Sequence, residues 1–101
     1  MQTFIEIYCQ ADSQSLIPAI IADEQALSKK YKLKIISKKP FKAESSLKYH
    51  GNLYLVWHRK IKILSLIINY NEGNNPYLTA GNFISYLKTN HPKDIKVITI
   101  L

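Results

Sequence analysis

Ile61-Lys62-Ile63-Leu64-Ser65-Leu66-Ile67-Ile68-Asn69-Tyr70 is the stretch on which the fold turns. It is crowded with β-branched and apolar residues, lacks glycine and proline, and runs into the loop-forming series Asn71-Glu72-Gly73-Asn74-Asn75-Pro76. Side chains of this kind suit a pleated surface covered by neighbours, so the segment reads as a central strand. A sheet is therefore the frame, and the rest of the chain must supply its partners and its cover.

Toward the N-terminus, residues 2–9 alternate. Thr3, Ile5, Ile7 and Cys9 share one parity, while Phe4 and Tyr8 share the other with Gln2 and Glu6. This is strand periodicity with one apolar face. Residues 31–39 also alternate, with Tyr31, Leu33 and Ile35 set against Lys32, Lys34 and Lys38, until Pro40 ends the strand or marks it as an edge. Leu47–His50 and Leu53–His58 flank Gly51-Asn52, which predicts a hairpin. Residues 95–101 complete the strand set. For His58-Arg59-Lys60 the pattern leaves open whether the chain turns or continues in one bent strand.

Two segments carry helical spacing. Leu16, Ile20, Leu27 and Tyr31 fall on one face, with Ser15 as the expected cap, Pro18 in the first turn, and Asp23 and Glu24 ahead of Lys29 and Lys30. Downstream, Asn75 as N-cap with Pro76 at the first helical position, or Thr79 as a later cap, opens a helix whose apolar face is Ala80, Phe83, Ile84 and Leu87. Asn90-His91-Pro92 ends it. The order strand, helix, several strands, helix, strand predicts a single α+β domain over residues 1–101. The simplest topology is a ferredoxin-like βαββαβ-type sandwich with an antiparallel or mixed sheet, both helices on one face, and an extra hairpin.

The chain of 101 residues has a net charge of +7, unevenly spread. Residues 1–28 carry −4, residues 29–62 carry +10, and the remainder +1. Ten of the eleven cations in the middle third are lysines, which act as point charges rather than as bidentate readers of base edges. A field of this kind attracts a polyanion through its backbone or an acidic protein face. The bland alternative is a solvated lysine surface that keeps a small protein in solution.

Several classes of chemistry find no foothold. One cysteine, Cys9, cannot form an internal disulfide, and its place on an apolar strand face makes it a small buried hydrophobe. Cys9, His50, His58 and His91 lack zinc-site spacing, so neither a metal nor a cofactor is expected. The N-terminus has no basic, then apolar, leader, and no apolar run reaches membrane-spanning length, which predicts a cytoplasmic protein with no membrane partner.

The expected function is thus a small non-enzymatic binding protein, in an accessory or inhibitor role, meeting an acidic macromolecule. The candidate contacts are Lys32, Lys34, Lys48, Tyr54, His58, Arg59, Lys60 and Lys62. Lys32, Lys34, Arg59, Lys60 and Lys62 are expected to contribute most, on strand positions that hold them in fixed directions. Tyr49, Tyr54 and Trp57 are candidate base-stacking aromatics. Two alternatives remain. His50, His58, Arg59, Lys60 and Tyr54 are the residue types of a metal-independent, toxin-type ribonuclease, although residue types are not geometry. A homodimeric ligand-binding domain with sheets packed together is the other.

Overall fold

The computed structural model describes residues 1–46 and 51–101. Along the chain lie β1 (Gln2–Cys9), α1 (Ile17–Ala22), α2 (Glu24–Tyr31), β2 (Leu33–Lys38), β3 (Phe41–Ser45), β4 (Asn52–His58), β5 (Ile63–Asn69), α3 (Pro76–Asn90) and β6 (Ile95–Ile100). The strands form one six-stranded sheet in the order β2-β3-β4-β5-β1-β6, and every neighbouring pair is antiparallel. The architecture is therefore α+β with an open antiparallel sheet and three helices. Its strand order is not that of a simple four-stranded βαββαβ unit.

The alternation read from residues 2–9 holds in space. Ile5, Ile7 and Cys9 on β1 are buried with Leu64, Leu66 and Ile68 on β5, Leu53 and Leu55 on β4, Phe41 and Ala43 on β3, and Leu33 and Ile35 on β2. Leu16, Ile20, Leu27, Ala80, Phe83, Tyr86 and Leu87 from the helical segments complete the same cluster, and Ile84 packs at its margin. All three helices therefore cover one face of the sheet. Each large side chain fully removed from water in this core contributes about 1.5–3 kcal/mol of transfer free energy before entropy is charged against it.

Caps and turns explain where the elements stop. The Asn75 side chain accepts the Tyr77 N–H at 3.0 Å, with Pro76 at the first helical position of α3, as expected. The expected first helix is two. The Asp23 backbone N–H satisfies Ala19 and Ile20, and the Asp23 carbonyl then accepts from Leu27 to start α2. Asp is a poor helix interior residue, and here its carboxylate is committed elsewhere, to Tyr86. Lys32 takes a left-handed conformation (φ 59°) that closes α2 and lets β2 begin.

Two local expectations are corrected, and a third falls outside the described residues. The strand paired with β4 in the described residues is Phe41–Ser45, with Phe41 opposite Leu55 and Glu44 opposite Asn52; the expected strand Leu47–His50 lies outside the described residues. Asn52 opens β4 rather than turning a hairpin. Gly51 is buried against the backbone of Asn69, where a Cβ would sit 1.9 Å from the carbonyl oxygen, so only glycine fits. Arg59, Lys60, Ile61 and Lys62 form the β4–β5 turn, closed by a backbone bond from Lys62 N–H to the His58 carbonyl, with Lys62 left-handed (φ 56°). The chain turns after His58, so Arg59, Lys60 and Lys62 are turn residues and not strand residues, and Lys32, which closes α2, is not one either; of the five only Lys34 is on a strand.

Among the described residues no helix is long and apolar enough to cross a membrane.

Candidate functional site

The face of the sheet turned away from the helices carries the other parity of every strand. Its cross-strand rows follow from the register. One row runs Lys42, Tyr54, Ile67, Phe4; the next runs Val56, Ser65, Glu6, Thr99; the third runs His58, Ile63, Tyr8, Val97. No described element covers this face: Phe4 and Val56 are each 44% exposed and Val97 is 52% exposed. Purely antiparallel sheets tolerate one wet face, yet that face is ordinarily polar, and here half the positions are apolar or aromatic.

Local chemistry on the face is specific. Lys42 holds its ammonium 5.3 Å from the centre of the Tyr54 ring, and hydrogen bonding from Lys42 to the phenol, with smaller help from Asn69 and the Lys42 charge, lowers the Tyr54 phenol pKa below its ordinary value. On β1, Tyr8 donates a 2.7 Å hydrogen bond to the Glu6 carboxylate, which raises the Tyr8 phenol pKa. His58 and Ser65, diagonal neighbours on β4 and β5, are linked at 2.9 Å through Nε2 and Oγ. Two hollows indent the surface. One of about 250 Å³ is bordered by Phe4, Val56, His58, Ser65 and Ile67, and one of about 410 Å³ by Pro40, Tyr54, Val56 and Ile67.

The candidate cations divide into three groups. Lys32, with Lys29 and Lys30, sits at the C-terminal end of α2, where its ammonium donates to the Lys29 carbonyl at 3.1 Å. Lys34 lies on edge strand β2, opposite Glu44, and Lys42 shares the open face with it. Arg59 and Lys60 are exposed in the β4–β5 turn. Because β3 and β4 are antiparallel, the β2–β3 turn lies at the same end of the sheet and brings exposed Lys38 and Lys39 toward Arg59 and Lys60. Lys62 shares that end but is occupied: its ammonium donates to the Ser13 carbonyl at 2.8 Å, while Ser13 Oγ donates to Asp94 at 3.1 Å. It is a tether between the turn and the segment after β1. Lys48 lies outside the described residues.

The aromatic set also divides. Tyr54 is on the open face, whereas Trp57 pairs with Leu64 on the opposite parity and packs against the core. Tyr49 lies outside the described residues, as does His50. Tyr54 and His58 are four residues apart on one strand, about 13 Å at the rise of an extended chain, too far apart to act on one scissile phosphate. Among the described residues no three His, Cys, Asp or Glu side chains gather as a metal site would require.

Sequence reading missed Lys38, Lys39 and Lys42 as members of these groups. It also missed a polar cluster under the helices. The Tyr86 hydroxyl donates to Asp23 at 2.5 Å, and His91 Nε2 lies 3.1 Å from the same hydroxyl and 3.4 Å from the same carboxylate. With the tyrosine proton given to Asp23, His91 serves as donor to the phenol oxygen, which fixes its ring in the Nε2–H form. Burial, then the Asp23 hydrogen bond and charge, push the Tyr86 pKa far above its ordinary value. Tyr86 is fully buried, so the cluster joins the α1–α2 break to the end of α3 rather than meeting a ligand.

Comparison with models of known protein families, with curated proteins and with solved structures finds no match, so function must be argued from these surfaces.

Proposed function

We propose that this is a non-enzymatic binding protein that meets an acidic macromolecule with the basic end of its sheet. The observation that carries the reading is that two turns share one end of the sheet, Lys38 and Lys39 from one and Arg59 and Lys60 from the other, all exposed and, among the described residues, none in an ion pair. Like charges gathered in this way cost folding energy, which an anionic surface offsets on contact. Three of the four are lysines, so the contact is to phosphate or carboxylate groups and not to base edges. Glu6, on β1 of the open face, argues against laying a polyanion across the sheet itself. We read the fold as a ferredoxin-like frame carrying an additional hairpin. In support, setting β3 and β4 aside leaves β2, β5, β1 and β6 in the order of two interleaved βαβ units.

The test is Arg59→Glu combined with Lys60→Glu, two exposed turn residues whose change leaves the core intact. Lys62 is left alone, because its ammonium supports the fold through Ser13. Binding to single-stranded RNA, single-stranded DNA, duplex DNA and polyglutamate is measured at low salt. Retention by at least one of these, weakened tenfold or more in the double variant, supports the proposal. For a nucleic acid, log affinity should also fall with log salt, by about 0.7–0.9 in slope for each phosphate contact. No binding to any of the four overturns it.

A further inference from the structure

The open face of the sheet is not complementary to water, and its charges are arranged to complement a copy of itself. From β2 to β6 the charges of the face change sign: Lys34 and Lys42, with Glu44 opposite Lys34, lie on one flank and Glu6 on the other. Lys42 stands on β3, and Glu6 stands on β1, with β4 and β5 between them. The apolar side chains Tyr54, Val56 and Ile67 lie between them, and Phe4 stands beside Glu6 on β1.

We infer that two copies of this chain pack face to face through this surface, related by a two-fold axis that runs parallel to the strands between β4 and β5. Such an axis exchanges the two flanks, so β3 of one copy lies over β1 of the other. Lys42 then faces Glu6 of the second copy, one pleat away along the strand and within reach of a lysine side chain. Phe4, which stands 44% exposed, comes down over the 410 Å³ hollow bordered by Pro40, Tyr54 and Val56. A two-fold axis at right angles to the strands would instead set β3 on β3 and β1 on β1, bringing Lys42 to Lys42 and Glu6 to Glu6. On the face itself, the positions of Lys42 and Glu6 therefore select the first arrangement, since like charges placed opposite one another are destabilising.

The size is adequate. Six strands at about 4.8 Å spacing and about 23 Å length give a flat face of roughly 600 Å². Side-chain relief raises the accessible area of such a face toward the ~800 Å² per partner of a standard interface. Aligned packing of two twisted sheets, about 30° apart, is the geometry that joins two such faces across an interior about 10 Å thick. Because this axis runs parallel to the strands, it places the basic turns of both copies at the same end of the pair.

The experiment is sedimentation of the full chain from micromolar to submillimolar concentration, with the fold of each variant checked by circular dichroism. The expected wild-type result is a mass that rises from one chain to two. Phe4→Lys and, separately, Val56→Lys should each raise the dissociation constant at least tenfold with an unchanged spectrum, because both residues are exposed in the single chain. Lys42→Glu should weaken the dimer similarly, and adding Glu6→Lys to it should restore most of the loss. A single-chain mass at every concentration overturns the inference, as does a dimer indifferent to Phe4→Lys and Val56→Lys. Failure of the charge exchange to rescue overturns the choice of axis.

Discussion

Tyr86 and Asp23, 63 positions apart in sequence, are joined by a 2.5 Å hydrogen bond from the phenol to the carboxylate at the point where α1 breaks from α2. The bond does two things at once. It satisfies a hydroxyl on a fully buried side chain, and it draws Asp23 out of the role of helix interior residue. His91 closes the group from the end of α3.

Tyr86→Phe should destabilise the protein by about 1–2 kcal/mol, the scale for a hydrogen bond to a charged group whose acceptor keeps partial access to water. Urea unfolding measures it. The difference should also depend on pH. The folded pKa of Tyr86 is raised above the unfolded value of about 10, so its contribution is full below pH 10 and declines as pH rises beyond it. The wild type should therefore lose its advantage over Tyr86→Phe above about pH 10. An advantage constant through that range would show that the phenol is not held as described.

Two glycines should respond to alanine in opposite directions. Gly51→Ala forces a Cβ onto the Asn69 carbonyl and should cost about 1–3 kcal/mol or more, since backbone cannot step aside as a side chain can. Gly81 lies exposed within α3 with open space around it, so Gly81→Ala should stabilise by about 0.5–1 kcal/mol. Melting temperatures of the two variants should move apart from the wild type on opposite sides.

Cys9 should be chemically quiet. Burial first, and the Asp94 charge second, raise its thiol pKa, and only 6% of the residue is exposed. A thiol reagent at neutral pH should label the native chain at least tenfold more slowly than the urea-unfolded chain. Equal rates would mean that β1 opens freely at its end.

Leu87→Ala removes a fully buried side chain from the layer between α3 and the sheet, and should cost about 2–4 kcal/mol. Chemical denaturation reads the loss directly. A cost below about 1 kcal/mol would mean that the helix layer is packed far more loosely than its burial indicates.

Much of the frame was legible in local pattern. Period-two alternation in residues 2–9, the apolar run of residues 61–70, and Asn75-Pro76 at the start of α3 each decide their own element, because strand pleat and helix cap act over a few residues. Phe41–Ser45 escaped notice because Ala43 and Ser45 are weak strand formers. Its place between β2 and β4 comes from cross-strand pairing, which outweighs propensity. The turn at Arg59–Lys62 escaped for the converse reason. It lacks glycine, asparagine and proline, and is held by Lys62 bonding to Ser13, 49 positions away.

The sequence by itself determined an α+β domain, the parity of its strands, and a charge of +10 confined to residues 29–62. Only the tertiary structure decided where that charge lies. Antiparallel pairing folds residues 38–39 and 59–60 to one end of the sheet and Lys42 to its open face, and leaves Lys32 beside Lys29 and Lys30 at the end of a helix. Which face went uncovered was likewise decided in three dimensions. Both parities of β1 hold large apolar side chains, and only the packing of α1, α2 and α3 against Ile5 and Ile7 leaves Phe4 and Tyr8 on the other side. Charge and hydropathy are properties of residues, but a surface is a property of their arrangement, and long-range pairing sets that arrangement.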